Sequence, residues 1–235
     1  MGSSSPASEL VDWQAVRLSV VLAASTTLLL LLIGLPIAYW LAFTRWRWKF
    51  LVEAVVALPL VLPPTVLGFY VLVALGPRSP VGRWYEAVTG GSLPFSFQGL
   101  LVASVLYSLP FAVQPFAAAL GSVDRHLVEA SWCLGVSRAG TFVRILAPLA
   151  LPGIVTGMVL TFAHTLGEFG VVLMVGGNLA GRTRTVSIAI YDDVQALNYS
   201  AAAETSLFLL AVSFAALALT YGLQRKAWAP WPIKW

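Results

Sequence analysis

Residues 129–148 read EASWCLGVSRAGTFVRILAP. The stretch lies between two long apolar runs and carries Glu129, Arg138 and Arg144. Its pattern is two short amphipathic helices hinged at Gly135. Asp124 is placed to cap the first helix, its carboxylate accepting free backbone N–H groups. Leu127, Val128, Ser131, Trp132 and Leu134 then fall on one face at helical spacing. Arg125 and Glu129 lie one turn apart on the other face. Gly135 is free to take the left-handed conformation that ends a helix. Ser137 is placed to cap the second helix, whose apolar stripe is Phe142, Ile145, Leu146 and Leu149. Pro148 and Pro152 mark the start of the next apolar run, where proline is tolerated in a first turn. A helix–turn–helix of this kind suits docking into a groove on a partner. It suits equally a hairpin that only covers the ends of its neighbours.

The neighbours are membrane spans. Of the 235 residues, 59% are hydrophobic and 10% charged, against roughly 25% charged in soluble domains. The mean hydropathy is +0.85. Charges are missing from residues 18–44, 54–77, 87–123, 145–167 and 205–224. GGSLP at 90–94 shortens the third run, and the fourth continues past Glu168 to Val175. About 20 apolar residues cross a bilayer as a helix. The expected fold is therefore an all-α integral membrane protein, one transmembrane domain over residues 1–235. Its five spans fall near 17–44, 51–75, 97–120, 148–175 and 203–224, with an organised loop over 121–147. The run after MGSSSPASEL is too long for a signal-peptide core and is read as the first span.

Basic residues set the orientation. Arg45, Arg47, Lys49, Arg125, Arg138, Arg144, Arg225, Lys226 and Lys234 fall on one side, and Arg17, Arg78, Arg83, Arg182 and Arg184 on the other. The richer side is expected in the cytoplasm, so the N-terminus is outside, the C-terminus inside and the 121–147 loop cytosolic. Trp46, Trp48, Trp84 and Trp228 fall near expected interfaces, as aromatic belts do.

Several chemistries are excluded or unsupported. Cys133 is the lone cysteine and His126 and His164 the only histidines, so no intrachain disulfide or Cys₂His₂ metal site is possible. ATP hydrolysis needs G-x-x-x-x-G-K-[ST]. The three lysines are followed by Phe50, Ala227 and Trp235, so none fits. The chain is read as a non-enzyme with no bound metal or cofactor and no nucleic-acid partner.

HTLGEFG at 164–170 places His164 and Glu168 one turn apart inside an apolar run. Ionisable residues within spans are functional candidates. Gly167, Gly170, Gly176 and Gly177 bracket them and permit a broken backbone lining a cavity. A gate needs a broken backbone of this kind. Beyond lies GGNLAGRTRTVS (176–187), whose Arg182 and Arg184 suit attraction of oxyanions outside. Hydroxyls at Thr65, Ser104, Ser108, Thr156 and Thr161 offer a weakly polar route.

The spacing E-A-x₄-G-x₉-I-x-x-P resembles the cytoplasmic-loop signature of ABC importer permeases. Glu129, Ala130, Gly135, Ile145 and Pro148 match it. Ser131 stands where a second alanine is usual, and Ala147 where leucine is. LPLVLPPTVLGFYVLVALGPRSPVG (58–82), LGEFGVVLMVGGN (166–178) and TRT (183–185) resemble the permeases of molybdate ABC importers, with similarity over roughly residues 10–225. The G-E-F-G element is shared with sulfate and thiosulfate permeases. The resemblance implies import of molybdate, or of tungstate beside it, across a prokaryotic inner membrane, with sulfate or thiosulfate as the alternative. It implies a homodimer with two cytosolic ATPases, which hold ATP and Mg, and an external binding protein that selects the anion. The loop around Glu129, Ala130, Ser131, Gly135, Ile145 and Pro148 would couple to the ATPase. Gly167, Glu168, Phe169 and Gly170 would line the path or outer gate, and Arg182, Thr183 and Arg184 would attract the anion outside. A stand-alone channel or secondary carrier is the rival reading, and it expects transport without ATP.

Overall fold

The computed structural model describes residues 11–227. Trp228 and Lys234 lie outside the described residues. Among those described the chain is helical: α1 (Trp13–Phe43), α2 (Lys49–Val61), α3 (Pro64–Leu75), α4 (Pro80–Thr89), α5 (Phe97–Gly121), α6 (Arg125–Cys133) and α7 (Arg138–Thr141) come first. A π-helical turn, Phe142–Leu146, leads into α8 (Ala147–Leu166), followed by α9 (Gly170–Gly176), α10 (Val186–Gln195) and α11 (Tyr199–Ala227). Four stretches are long and apolar enough to cross a membrane: 13–43, 97–121, 138–166 and 199–222. The pair α2–α3 makes a fifth only if it is counted as one broken span, because its halves meet at a bend of 111°.

The long helices begin where polar side chains meet free N–H groups. Asp12 accepts from Ala15 N at 3.0 Å to start α1, and Ser96 from Gly99 N at 3.1 Å to start α5. Helices α1, α5 and α8 pack together as the core. Leu30, Ala38 and Leu41 of α1 meet Ala112, Val113, Phe116 and Leu120 of α5, and Ala150 and Ile154 of α8. Small residues bring the backbones close, as membrane bundles require. A side chain at Gly157 would collide with the buried Phe116 ring at 2.7 Å, and one at Gly153 with Ala119 at 2.4 Å. Helix α11 packs on α8 and α10. It leaves Leu207, Leu210, Phe214 and Tyr221 exposed to lipid or to a partner.

Two of the expected spans are interrupted. The 51–75 run breaks at Leu62 and Pro63, because Pro64 opens α3 and disfavours helix at the residue before it. Each half is 12 or 13 residues, about 18–20 Å, too short to cross alone. The 148–175 run begins earlier than expected, at Arg138, and α8 stops at Leu166. Pro148 does not interrupt it. The preceding turn widens into a π-turn, in which Ala147 N–H reaches back to Phe142 O. The short α9 then lies buried, with Val171 and Val175 against Leu67, Val71 and Ala103, and Val172 against Leu22, Leu100 and Ile188.

Candidate functional site

At one end of the core the loop folds as a helical hairpin. Asp124 Oδ1 accepts from His126 N at 2.9 Å and starts α6. Gly135 has φ +76° and ends it, with Gly135 N–H bonded to Trp132 O at 2.9 Å and Val136 N–H to Ser131 O at 3.1 Å. Ser137 Oγ accepts from Gly140 N at 3.1 Å and starts α7. Ser131 Oγ lies 2.9 Å from Thr141 Oγ1, and the pair is buried between the two helices. Thr141 donates its proton to Ser137 O at 3.1 Å, so Ser131 is the donor of the pair. The serine at this position is thus a pin of the hairpin, a role alanine cannot fill.

The stripe expected on α6 divides. Val128 and Ser131 point into the core. Leu127 and Trp132 sit on the flanks of that line and stay exposed, and Leu134 at the cap is 83% exposed. Glu129, Ala130 and Val143 share the outward surface, while Leu146 is buried and Ile145 half-buried. The hairpin therefore shows an apolar crest rimmed by charge, with its own polar groups satisfied from within. Tyr39 of α1 holds Phe142 edge-on at 5.7 Å, which seats the hairpin on the core.

At the other end of the same helix the backbone breaks. Gly167 N–H still bonds to Ala163 O at 3.3 Å and Glu168 N–H to Thr165 O at 3.3 Å. Helix α9 then restarts at Gly170, whose Cα faces Pro64 so closely that a Cβ would stand 2.7 Å from the ring. The two breaks, at 62–63 and 167–169, therefore abut. A cleft of about 570 Å³ opens there, lined by Pro64, Thr65, Tyr107, His164, Glu168 and Phe169 among others. The expected gate residues Gly167, Glu168, Phe169 and Gly170 all line it. Glu168 is only 4% exposed, and neither carboxylate oxygen has a hydrogen-bond partner. The Ser104 hydroxyl lies beside it without reaching hydrogen-bond geometry. An unpaired polar group inside a membrane protein is costly and marks a site that rearranges or binds.

His164 does not join Glu168. Its Nδ1 lies 3.0 Å from Ser108 Oγ, which also meets Thr165 Oγ1 at 2.9 Å, and its ring stacks on Phe111 at 3.8 Å. No cluster of metal-ligating side chains occurs among the described residues. Of the candidate hydroxyls, Thr65 lines the cleft. Ser108 is engaged with His164, and Thr156 and Thr161 donate to Pro152 O and Gly157 O of their own helix.

Outside the break, the three residues of the TRT element differ in setting. Thr183 is fully buried and donates to Gly176 O at 2.7 Å, so it staples the loop. Arg184 Nη2 pairs with Asp192 Oδ2 at 2.8 Å, and its Nε lies 3.9 Å from Asp12. Asp192 also accepts from Asn178. Arg182 is exposed and has no ion pair among the described residues. The Arg184 network joins chain segments far apart in sequence, and only an arginine followed eight residues later by an aspartate hinted at it.

This arrangement, a surface hairpin running into a core helix that breaks beside a second broken helix, has counterparts. Residues 34–228 match the family of binding-protein-dependent transport system inner membrane components. The chain belongs to this family. As a family member it is an inner-membrane component of a binding-protein-dependent transport system. It is 50% identical to the molybdenum transport system permease protein ModB of Azotobacter vinelandii, over 91% of this chain and 95% of that protein. It is 36% identical to ModB of Escherichia coli K12, over 91% and 94%. The permease fold also matches a bacterial alginate ABC transporter, with TM-score 0.71 and 18% identity over 94% of this chain and 80% of the other. The inward-facing MetNI methionine transporter gives TM-score 0.65 and 19% identity, over 90% and 95%.

Proposed function

We propose that this permease carries molybdate into the cell. In this reading it works as two copies with two cytosolic ATPases and an external binding protein. The observation that carries the substrate class is the half-identity, over nearly the whole of both chains, to a molybdenum permease. The geometry supports a mechanism. The hairpin crest of Leu127, Trp132 and Leu134 docks in a groove of the ATPase, with Glu129 on its charged rim. ATP hydrolysis belongs to that subunit. From Arg138 to Leu166 the chain runs as one helix of 29 residues, about 43 Å long. Movement of the hairpin is passed along this rigid element to Gly167–Gly170. There α8 and α9 shift against Pro64 and Thr65 of α3 and open the cleft, a rigid-body switch rather than a diffuse one. Glu168, held without a partner in this arrangement, gains one in the other. Arg182, exposed in the loop after α9, attracts the anion from outside.

The test is reconstitution of the permease with its coexpressed ATPase and binding protein in proteoliposomes. Labelled molybdate and sulfate are offered with and without ATP. Uptake of molybdate that requires ATP and resists excess sulfate is the expected result. Uptake without ATP replaces this reading with a carrier, and preferred uptake of sulfate replaces the anion.

A further inference from the structure

The corner between α1 and α2 reads RWRWK over residues 45–49, three cations and two tryptophans in five positions. Trp46 and Trp48 are exposed, Trp46 packs on Trp40 at 5.9 Å, and the Arg47 guanidinium sits 5.1 Å over the Trp48 ring. Such rings settle at the headgroup level of a bilayer. Lys49 pairs with Glu53 at 3.4 Å, but both side chains are nearly half exposed, so the pair is weak. Arg45 and Arg47 have no carboxylate partner among the described residues. Beside this corner a cleft of about 620 Å³ opens between α1, α2 and α5. Its wall is largely apolar and built of small residues such as Ala42, Ala54, Ala57 and Ala117, while the paired Lys49 and Glu53, with Gln114, are its polar lining residues, and Arg45 and Arg47 stand at the adjoining corner.

We infer that this cleft binds an anionic phospholipid, its phosphate held by Arg45 and Arg47 of the adjoining corner and an acyl chain against the alanines. Charge complementarity selects this occupant. Lys49 and Glu53 offset each other at the cleft, so the charge that remains is that of Arg45 and Arg47 at the adjoining corner. Two free cations next to an apolar groove match an amphiphile with a negative head. A second copy packed here about a two-fold axis would bring its own RWRWK corner against this one, like charge against like. The cleft walls Leu41 and Val56 belong to the same core cluster as Val123, Val128 and Leu146, which carry the hairpin. A bound lipid therefore bears on the seat of the hairpin. The inference does not depend on which anion is transported.

The experiment is lipid titration of the purified full-length permease in mild detergent, read by native mass spectrometry. Phosphatidylglycerol is compared with phosphatidylcholine. Phosphatidylglycerol is expected to bind at least tenfold more tightly. The double variant Arg45→Gln, Arg47→Gln should weaken it about 25-fold, roughly fivefold per cation. Ala54→Leu leaves every charge in place and should weaken it about tenfold by filling the chain groove. Equal binding of the two lipids, or charge and groove variants that bind as wild type, overturns the inference. So does efficient disulfide cross-linking in membranes between two copies carrying Cys133→Ser and Ala54→Cys, which would place the second copy in the cleft.

Discussion

The hairpin at 125–141 and the break at 167–169 sit at opposite ends of one helix, and they treat polar groups in opposite ways. In the hairpin the start of each helix is capped, and the one buried hydroxyl pair, Ser131 and Thr141, is mutual. What it leaves open is apolar: Leu127, Trp132 and Leu134 face outward. At the break the valines of α9 are buried, and some of the polar groups are left unmatched, with both Glu168 oxygens and Ser104 Oγ lacking partners. A rigid surface with an exposed apolar crest is fit to meet another protein. A buried carboxylate without a partner is fit to change its surroundings. In the proposed function the first end meets a subunit and the second changes conformation.

Substitutions that exchange these characters should have unequal effects. The largest falls on the crest. Leu134→Asp touches only solvent in the free chain, so folding should be unchanged. Burying its charge against the ATPase should lower retention of that subunit at least tenfold, on the order of the cost of an unpaired charge in an interface. Quantified copurification checks this, and equal retention would deny the crest its role. Next is Gly170→Val at the break. Its new side chain meets Pro64, and overpacking of this kind costs about 1–3 kcal/mol. A fall of several degrees in the apparent melting temperature in detergent is expected, with transport lost. Glu168→Gln should bring no such fall. It keeps the shape and cannot ionise in a site that offers no partner, so the melting temperature should match or exceed that of the wild type. A fall would mean that the carboxylate is paired in the resting protein. The smallest effect is Ser131→Ala in the hairpin. It removes one buried hydrogen bond, about 1 kcal/mol, and should leave anion uptake within about twofold of wild type. A severalfold loss of uptake would make Ser131 more than a pin.

The sequence made the hairpin more legible than the break, for a physical reason. Caps and turns are local. Asp124, Gly135 and Ser137 each act within three residues of themselves, and all three stand where the sequence placed them. The long apolar runs at 13–43 and 97–121 were legible in the same way. Hydropathy does not record direction, however. The run through 51–75 reads as one span although Pro63 and Pro64 turn it by 111°. The sequence reading carried the span through these prolines without a break. At 142–148 proline misled in the other direction. The π-turn absorbs Pro148, so the hairpin and the fourth span are one lever where two elements were expected. The glycines at 167 and 170 announced a break, but not that it abuts Pro64. The pairing of Arg184 with Asp192 and Asp12, and of His164 with Ser108, depends on how distant segments meet. No local pattern carries that information.

The most direct test of the central claim is the hairpin itself. The permease is purified in mild detergent with its ATPase coexpressed, as wild type, Glu129→Lys and Gly135→Val. Valine at Gly135 finds open space but must adopt φ +76°, a strain of about 1–3 kcal/mol that the turn escapes by changing shape. The expected result is that a P-loop ATPase accompanies the wild type and is lost from both variants, whose own elution profile matches the wild type. An ATPase retained equally by all three, or by none, would contradict the account.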